Sequence, residues 1–214
     1  MTRRQPQSHP RPLLITDCDE VLLHMVSHFR NWIDEVHDID FALVDGDFSG
    51  ALKRRPSGEP LQREDVWPLL DGFFATEMSR QTLVPGALEA LGALGAVADI
   101  IVLTNLSDKF NEARSMQLLG HGIAHRVVTN QGGKGDPVAR LVAEFAPSVT
   151  VFVDDLAQHH ASVARHAPDV LRLHMIAEPL IAQITPPAPK AHARIDDWKT
   201  ARSWIEARFA GVLI

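Results

Sequence analysis

The amino-acid sequence predicts an α/β fold: a doubly wound, Rossmann-like parallel sheet with a small helical insertion after its first strand. Three observations lead there. Short apolar runs recur at Leu13–Thr16, 100–103, 126–128, 149–153 and Leu171–His174. They do not alternate with polar residues, so each reads as a strand covered on both faces. Helical periodicity fills the gaps between them, and strand alternating with helix is the pattern of a parallel sheet.

The first strand, "LLIT", runs directly into "DCDEV", with Asp17, Asp19 and Glu20 in four positions. Leu22, Met25, Phe29, Trp32 or Ile33, and Val36 then follow a helical stripe. A second helix is predicted around 64–80 despite Pro68 and Gly72, and turn formers in "DGDFSGALKRRPSGEP" separate the two. Residues 24–82 are therefore read as a mainly helical insertion, and 1–23 with 83–214 as the α/β core.

Within the core, Pro85 and Gly86 introduce an Ala/Leu-rich helix over 87–94. Ser107 can cap a helix ending near Gly120. Asp136 and Pro137 read as an N-cap and first helical residue, with Val138, Leu141, Val142 and Phe145 at helical spacing behind them. The segment 185–193, "TPPAPKAHA", is a proline-rich loop, and Trp198, Ala201, Ile205 and Phe209 form a last amphipathic helix.

Bulk properties narrow the function. The 214 residues, 45% apolar and 22% charged, suit one globular domain or a core with a small insertion. A net charge of −6 argues against a nucleic-acid partner. Cys18 is the one cysteine, so no intramolecular disulfide forms, and it reads as a packed residue. The N-terminal "MTRRQPQSHPRP" lacks the apolar run of a signal peptide. The apolar region 87–103 is broken by Glu89, Asp99 and two glycines, too short and interrupted for a bilayer. The expectation is a cytoplasmic chain with no membrane and no nucleic-acid partner.

Ligands of open parallel sheets bind at the carboxyl ends of the strands. Four such ends carry chemistry here: Asp17 and Asp19, then Thr104, Asn105 and Ser107, then Lys134 in "TNQGGKGDP", then Asp154 and Asp155. Clustered carboxylates call for a hard cation such as Mg²⁺. A carboxylate can attack phosphorus, a second acid can move the protons, and lysine and hydroxyl can hold phosphoryl oxygens.

These residues, in this order, resemble the haloacid dehalogenase superfamily. "DCDEV", "VLTN" ending at Asn105, Lys134 in "GGKGDP" and "VFVDD" are similar to its four motifs, and the insertion lies where that family places a C1-type cap. The resemblance implies Asp17 as nucleophile and metal ligand. It implies Asp19 as general acid/base and a metal ligand through its carbonyl. Thr104 and Lys134 would hold the phosphoryl group, and Asp154 and Asp155 would complete a Mg²⁺ site, with Asp155 the choice for direct ligand. Asn105, Glu20 and His24 are candidates to touch substrate. The sequence departs from the pattern at Glu20, where glycine is frequent, and at Gly135, where proline often follows the lysine. Lys109 is an alternative to Lys134.

The implied activity is a Mg²⁺-dependent phosphatase for a small phosphorylated metabolite, working through an aspartyl-phosphate. A phosphomutase on the same scaffold and a non-catalytic binding protein are the alternatives. A receiver domain is excluded because its acid pair comes first in the chain. "QGGKG" lacks the Ser/Thr of a Walker loop. His24 and His28 share a helical face without the glutamate of a zinc motif. His159 and His160, just past the acid pair, either approach the site or, as the preferred expectation, lie at the surface, and "LKRRP" either steers anions or is a solvated loop.

Overall fold

The computed structural model describes residues 10–42 and 50–211. The first nine residues, 43–49 at the start of the turn-rich segment, and the last three residues lie outside the described residues. The chain runs β1 (Leu13–Thr16), α1 (Val26–His37), β2 (Ile39–Phe41), β3 (Leu52–Arg54), α2 (Arg63–Thr76), a 3-10 turn (Met78–Arg80), α3 (Ala87–Gly95) and β4 (Asp99–Asn105). It continues with a 3-10 turn (Asp108–Phe110), α4 (Asn111–Gly120), β5 (Arg126–Asn130), α5 (Gly135–Phe145), β6 (Thr150–Asp154), α6 (Ala157–His166), β7 (Leu171–His174), α7 (Pro179–Ile184), β8 (Ala193–Arg194) and α8 (Trp198–Phe209).

Six strands form one sheet in the order β5-β4-β1-β6-β7-β8, every pair parallel. Successive residues of a strand face opposite ways, and the apolar runs divide accordingly. Leu14, Ile100, Val102, Val151, Val153 and Leu173 pack with α3 and with Trp198, Ala201 and Ile205 of α8. Leu13, Ile15, Ile101, Leu103 and Phe152 pack on the other side with Val138 and Leu141 of α5 and Val163 of α6. Burial on both faces is why the strands carry no alternation.

Between β1 and β4 the chain builds its own apolar cluster. Phe29, Trp32 and Ile33 of α1 meet Val66, Phe73 and Phe74 of α2, and Leu106 and Phe110 from beyond β4 close the cluster from below. At the neck, Leu23 pairs antiparallel with Leu83, and the His24 N–H donates to the Thr82 carbonyl at 2.9 Å.

Several local expectations need correction. The segment between α1 and α2 includes an antiparallel pair, β2 with β3. Its strands are three residues each, too short for alternation to register. The helix expected from Leu22 begins at Val26, because the N–H groups of Leu22 and Leu23 turn back to the Cys18 carbonyl. Val36 is 60% exposed and off the inward stripe. Ser107 precedes a 3-10 turn and makes no capping bond with its side chain. Asp136 is not the cap of α5, since Lys134 stands there and Asp136 falls in the first turn. The stretch around the proline-rich loop also holds α7 and β8, which adds the sixth strand.

The glycines beside Lys134 have a packing reason. A side chain at Gly135 would collide with the Ser162 carbonyl and the His166 ring on α6, and one at Gly133 would stand 2.7 Å from the Ser162 hydroxyl. Gly135 also donates its N–H to that hydroxyl at 3.0 Å. Close approach of α5 to α6 thus explains glycine where proline was expected. Gly135→Ala is predicted to lower stability by roughly 1–3 kcal/mol, the usual cost of overpacking. Urea unfolding measures this, and an unchanged midpoint contradicts it.

Candidate active site

β1 is central, and its register brings the predicted residues to one edge. Thr16 pairs with Val102 on one side and Val153 on the other, so Asp17 stands level with Leu103 of β4 and with Asp154 at the end of β6. The Asp17 N–H donates to the Val153 carbonyl at 2.9 Å. Lys134 arrives from the start of α5. Its Nζ lies 2.8 Å from Asp17 Oδ2 and 2.7 Å from Asp154 Oδ2, and the lysine is fully buried.

The remaining oxygens are also engaged. Asp17 Oδ1 accepts the Cys18 N–H at 2.7 Å. Asp154 Oδ1 accepts from the Leu156 N–H at 2.9 Å and from His159 Nδ1 at 3.0 Å. Thr104, one step beyond the residue level with Asp17, is buried, and its hydroxyl has no partner among the described residues. It is a buried donor without an acceptor at the same edge of the sheet.

One lysine shared by two carboxylates leaves them unequal. Burial opposes ionisation of Asp154, but Lys134 and then His159 overcome it and hold the carboxyl below the usual range. Burial pushes Asp17 up to about 6 against the pull of Lys134, with the charges of Asp154 and Asp19 adding to the rise. The half-buried Asp155 is raised well above the ordinary value by burial and by the charges of Asp154 and Asp17. Lys134 is driven the other way: burial disfavours its charge, but Asp154 and Asp17 raise it above the ordinary lysine value. The edge is therefore short of positive charge, and the donor set is carboxylate oxygen. Both properties fit Mg²⁺. Ligand atoms of Asp17, Asp154 and His159 also lie within 4.8 Å of one another. Asp154, however, already accepts from three donors.

Other candidates are placed differently from expectation. Asp19 receives Arg114 Nη2 on both oxygens at 3.0 Å and Gln81 Nε2 at 2.9 Å. The Asn105 amide is held by Gly132, His159 and Asn130. Glu20 has φ 59°, the left-handed region that favours glycine. Its Oε1 offsets that strain by accepting the Met25 and Val26 N–H groups at 2.8 and 2.7 Å, at the start of α1. His24 keeps a buried Nδ1 with no partner among the described residues.

His159 and His160 are buried, not at the surface. The first turn of α6 folds under the acid pair. There His160 Nε2 bonds the Asp154 carbonyl at 3.0 Å, and His174 Nε2 bonds that of Asp155 at 2.7 Å. Lys109 pairs with Asp71 and is not the site lysine. In "LKRRP", Arg54 pairs with Asp65, and Arg55 with Asp34, Asp38 and Asp40, so both arginines are balanced by acids. Burial pushes the Cys18 thiol up to about 12, which fits a packed residue.

The sequence reading missed Arg114 and Gln81. Arg114 lies four residues before Leu118, so the two share the buried face of α4. A charged residue on an apolar stripe was the available signal. A recess of about 310 Å³ opens between α1, Phe41 and α7, lined in part by Arg30, Leu180 and Ile184, and the acid cluster does not line it.

No family model matches the chain, and no curated protein matches it. Solved structures do. A HAD-superfamily hydrolase of subfamily IA from Geobacter sulfurreducens is 18% identical, with 92% of this chain and 98% of that chain covered and a TM-score of 0.55. A haloacid dehalogenase-like hydrolase from Streptococcus pneumoniae gives 12%, 90%, 97% and 0.60. A D,D-heptose bisphosphate phosphatase from B. bronchiseptica, complexed with magnesium and phosphate, gives 11%, 92%, 99% and 0.56. At these identities the likeness establishes the fold: this chain has the fold of the haloacid dehalogenase superfamily.

Glu20 supplies a test of the site's electrostatics. Burial raises it from 4.5 to about 7, against the bonds from Val26 and Met25. The folded state therefore binds its proton more tightly than the unfolded chain. The stability this contributes is complete below 4.5 and is lost as pH rises through 7. Glu20→Gln removes that loss. Relative to the parent, the variant is predicted to gain up to roughly 3 kcal/mol between about pH 4.5 and about pH 8. Denaturant unfolding at both pH values measures it, and a difference independent of pH contradicts it.

Proposed function

We propose that this protein is a Mg²⁺-dependent phosphatase acting on a small phosphorylated metabolite. The observation that carries the reading is the buried Lys134 ammonium held between Asp17 and Asp154, with the unpartnered Thr104 hydroxyl at the same sheet edge. In this reading Asp17 is the nucleophile, Lys134 its counter-charge and Thr104 the phosphoryl grip.

The steps follow from the side chains. An Asp17 oxygen attacks phosphorus, the ester P–O bond breaks, and the leaving oxygen takes a proton from the Asp19 carboxyl. Asp19 then accepts a proton from water, whose oxygen attacks phosphorus and releases Asp17. Lys134 and Thr104 offset and orient the phosphoryl oxygens. Bound magnesium would supply positive charge that lets an anionic ester approach a carboxylate. Asp19 must give up at least one bond to Arg114 or Gln81 to reach the substrate, so proton transfer is tied to that contact. The 24–82 insertion is read as a cap that closes over the site and excludes water from the first step.

Phosphate release from a panel of metabolite esters is predicted to require Mg²⁺ and to vanish in Asp17→Asn. Asp19→Asn is predicted to lower kcat by roughly 10²–10⁴-fold, the usual contribution of a positioned acid/base. Activity retained in Asp17→Asn contradicts the nucleophile assignment. An isomerised ester in place of phosphate would instead make the enzyme a mutase. Absence of both, with no rise in melting temperature on adding Mg²⁺, would favour the non-catalytic reading.

A further inference from the structure

His159 is buried beside the acid pair, and the phosphatase mechanism makes no use of it. Its chemical state can be read from what surrounds it. The Gly132 carbonyl can only accept. The Asn105 side chain lies 2.8 Å from it and the Asn130 side chain 3.2 Å, so each presents its NH₂ there. This agrees with Asn130 Nδ2 donating to Asn105 Oδ1 at 2.8 Å. Asn105 Nδ2 then directs its other hydrogen at His159 Nε2, 3.2 Å away. That nitrogen must accept, so the ring proton sits on Nδ1. From there it reaches Asp154 Oδ1 at 3.0 Å and Oδ2 at 3.2 Å. A protonated Nε2 would face an NH₂ donor. One backbone carbonyl thus fixes two amides and one imidazole.

We propose that His159 is a positioning residue: a neutral imidazole protonated at Nδ1 that holds the Asp154 carboxylate onto Lys134 and lies outside the metal's ligand set. Neither ring nitrogen has a spare lone pair for a cation, since Nδ1 carries hydrogen and Nε2 is taken by Asn105. Asp154 is occupied by Lys134, Leu156 and His159. The cluster of Asp17, Asp154 and His159 looks like a nitrogen-containing metal site by distance alone. Its hydrogen bonds instead make it a lysine holder, leaving Asp155 for the metal. The Asn130–Asn105–His159–Asp154 relay ties the ends of β4, β5 and β6 to Lys134. It also accounts for Asn105, whose amide serves this relay.

The role of His159 in turnover rests on the phosphatase reading, whereas its tautomer does not, so two readouts separate them. Side-chain ¹⁵N NMR of the wild-type protein, with the His159 signal assigned by its loss in His159→Leu, is expected to show hydrogen on Nδ1 with and without Mg²⁺. Hydrogen on Nε2 or on both nitrogens, or loss of the Nδ1 hydrogen on adding Mg²⁺, overturns the proposal. Kinetically, His159→Leu is expected to lower kcat by about 10- to 100-fold, the usual effect of losing an orienting partner. Mg²⁺ affinity by calorimetry should stay unchanged. His159→Asn, which can place an NH₂ where Nδ1 stood, should recover most of the rate. Weakened Mg²⁺ binding in His159→Leu, an unchanged rate there, or no recovery in His159→Asn each overturns it. If the wild-type protein releases phosphate from no ester, the phosphatase reading fails, and NMR and calorimetry still decide the place of His159.

Discussion

The buried ammonium of Lys134 is the interaction on which the rest of the site depends. Asp17 and Asp154 are 5% and 0% exposed, and carboxylates so placed need a partner to remain charged. Lys134 serves both, at 2.8 and 2.7 Å. Removing one member of a buried charge pair generally costs about 3–5 kcal/mol, because the other is left uncompensated. The arrangement therefore demands that β1 lie between β4 and β6 and that the cap position of α5 deliver Lys134 to the strand ends. The glycines on either side of Lys134 are the local condition for that delivery, since α6 leaves no room for a side chain at Gly135.

Lys134 and Arg114, the latter taken by Asp19, do not balance the acids of the edge. Asp17, Glu20 and Asp155 are all raised by burial, and each also feels at least one neighbouring acid. Such a concentration of unmet negative charge lowers stability and is common where chemistry is done. The same deficit fits a divalent cation. Glu20 combines both aspects. It occupies a left-handed backbone position suited to glycine, yet its carboxylate caps the helix that opens the insertion. The loop holding Asp17 and the start of the insertion are thereby one hydrogen-bonded unit.

The core strands were legible because burial on both faces leaves continuous apolar runs, and the site residues stood out because each follows such a run. Sheet order then brings Asp17, Lys134 and Asp154 into contact, which the motif order anticipated. What escaped the sequence depends on contacts between distant segments. Arg114 reaches from α4 to Asp19 across 95 positions of chain; its place on an apolar stripe hints at burial but not at Asp19 as its partner. His159 looks solvated in "DDLAQHH" because the turn that buries it is set by packing of α6 on α5. Asn105 reads as a substrate contact until its amide is seen to be occupied. The β2–β3 pair and β8 are two or three residues long, below the length at which periodicity carries information.

Beryllium fluoride, a mimic of the phosphoryl group, tests the central claim most directly in a crystal grown with Mg²⁺. The account places beryllium on an Asp17 carboxylate oxygen, its fluorides against Lys134 and Thr104, and the magnesium on Asp17 and Asp155 with Asp154 still bound to Lys134. Fluoride density elsewhere, or a magnesium held by Asp154 and His159 with Lys134 displaced, would contradict it.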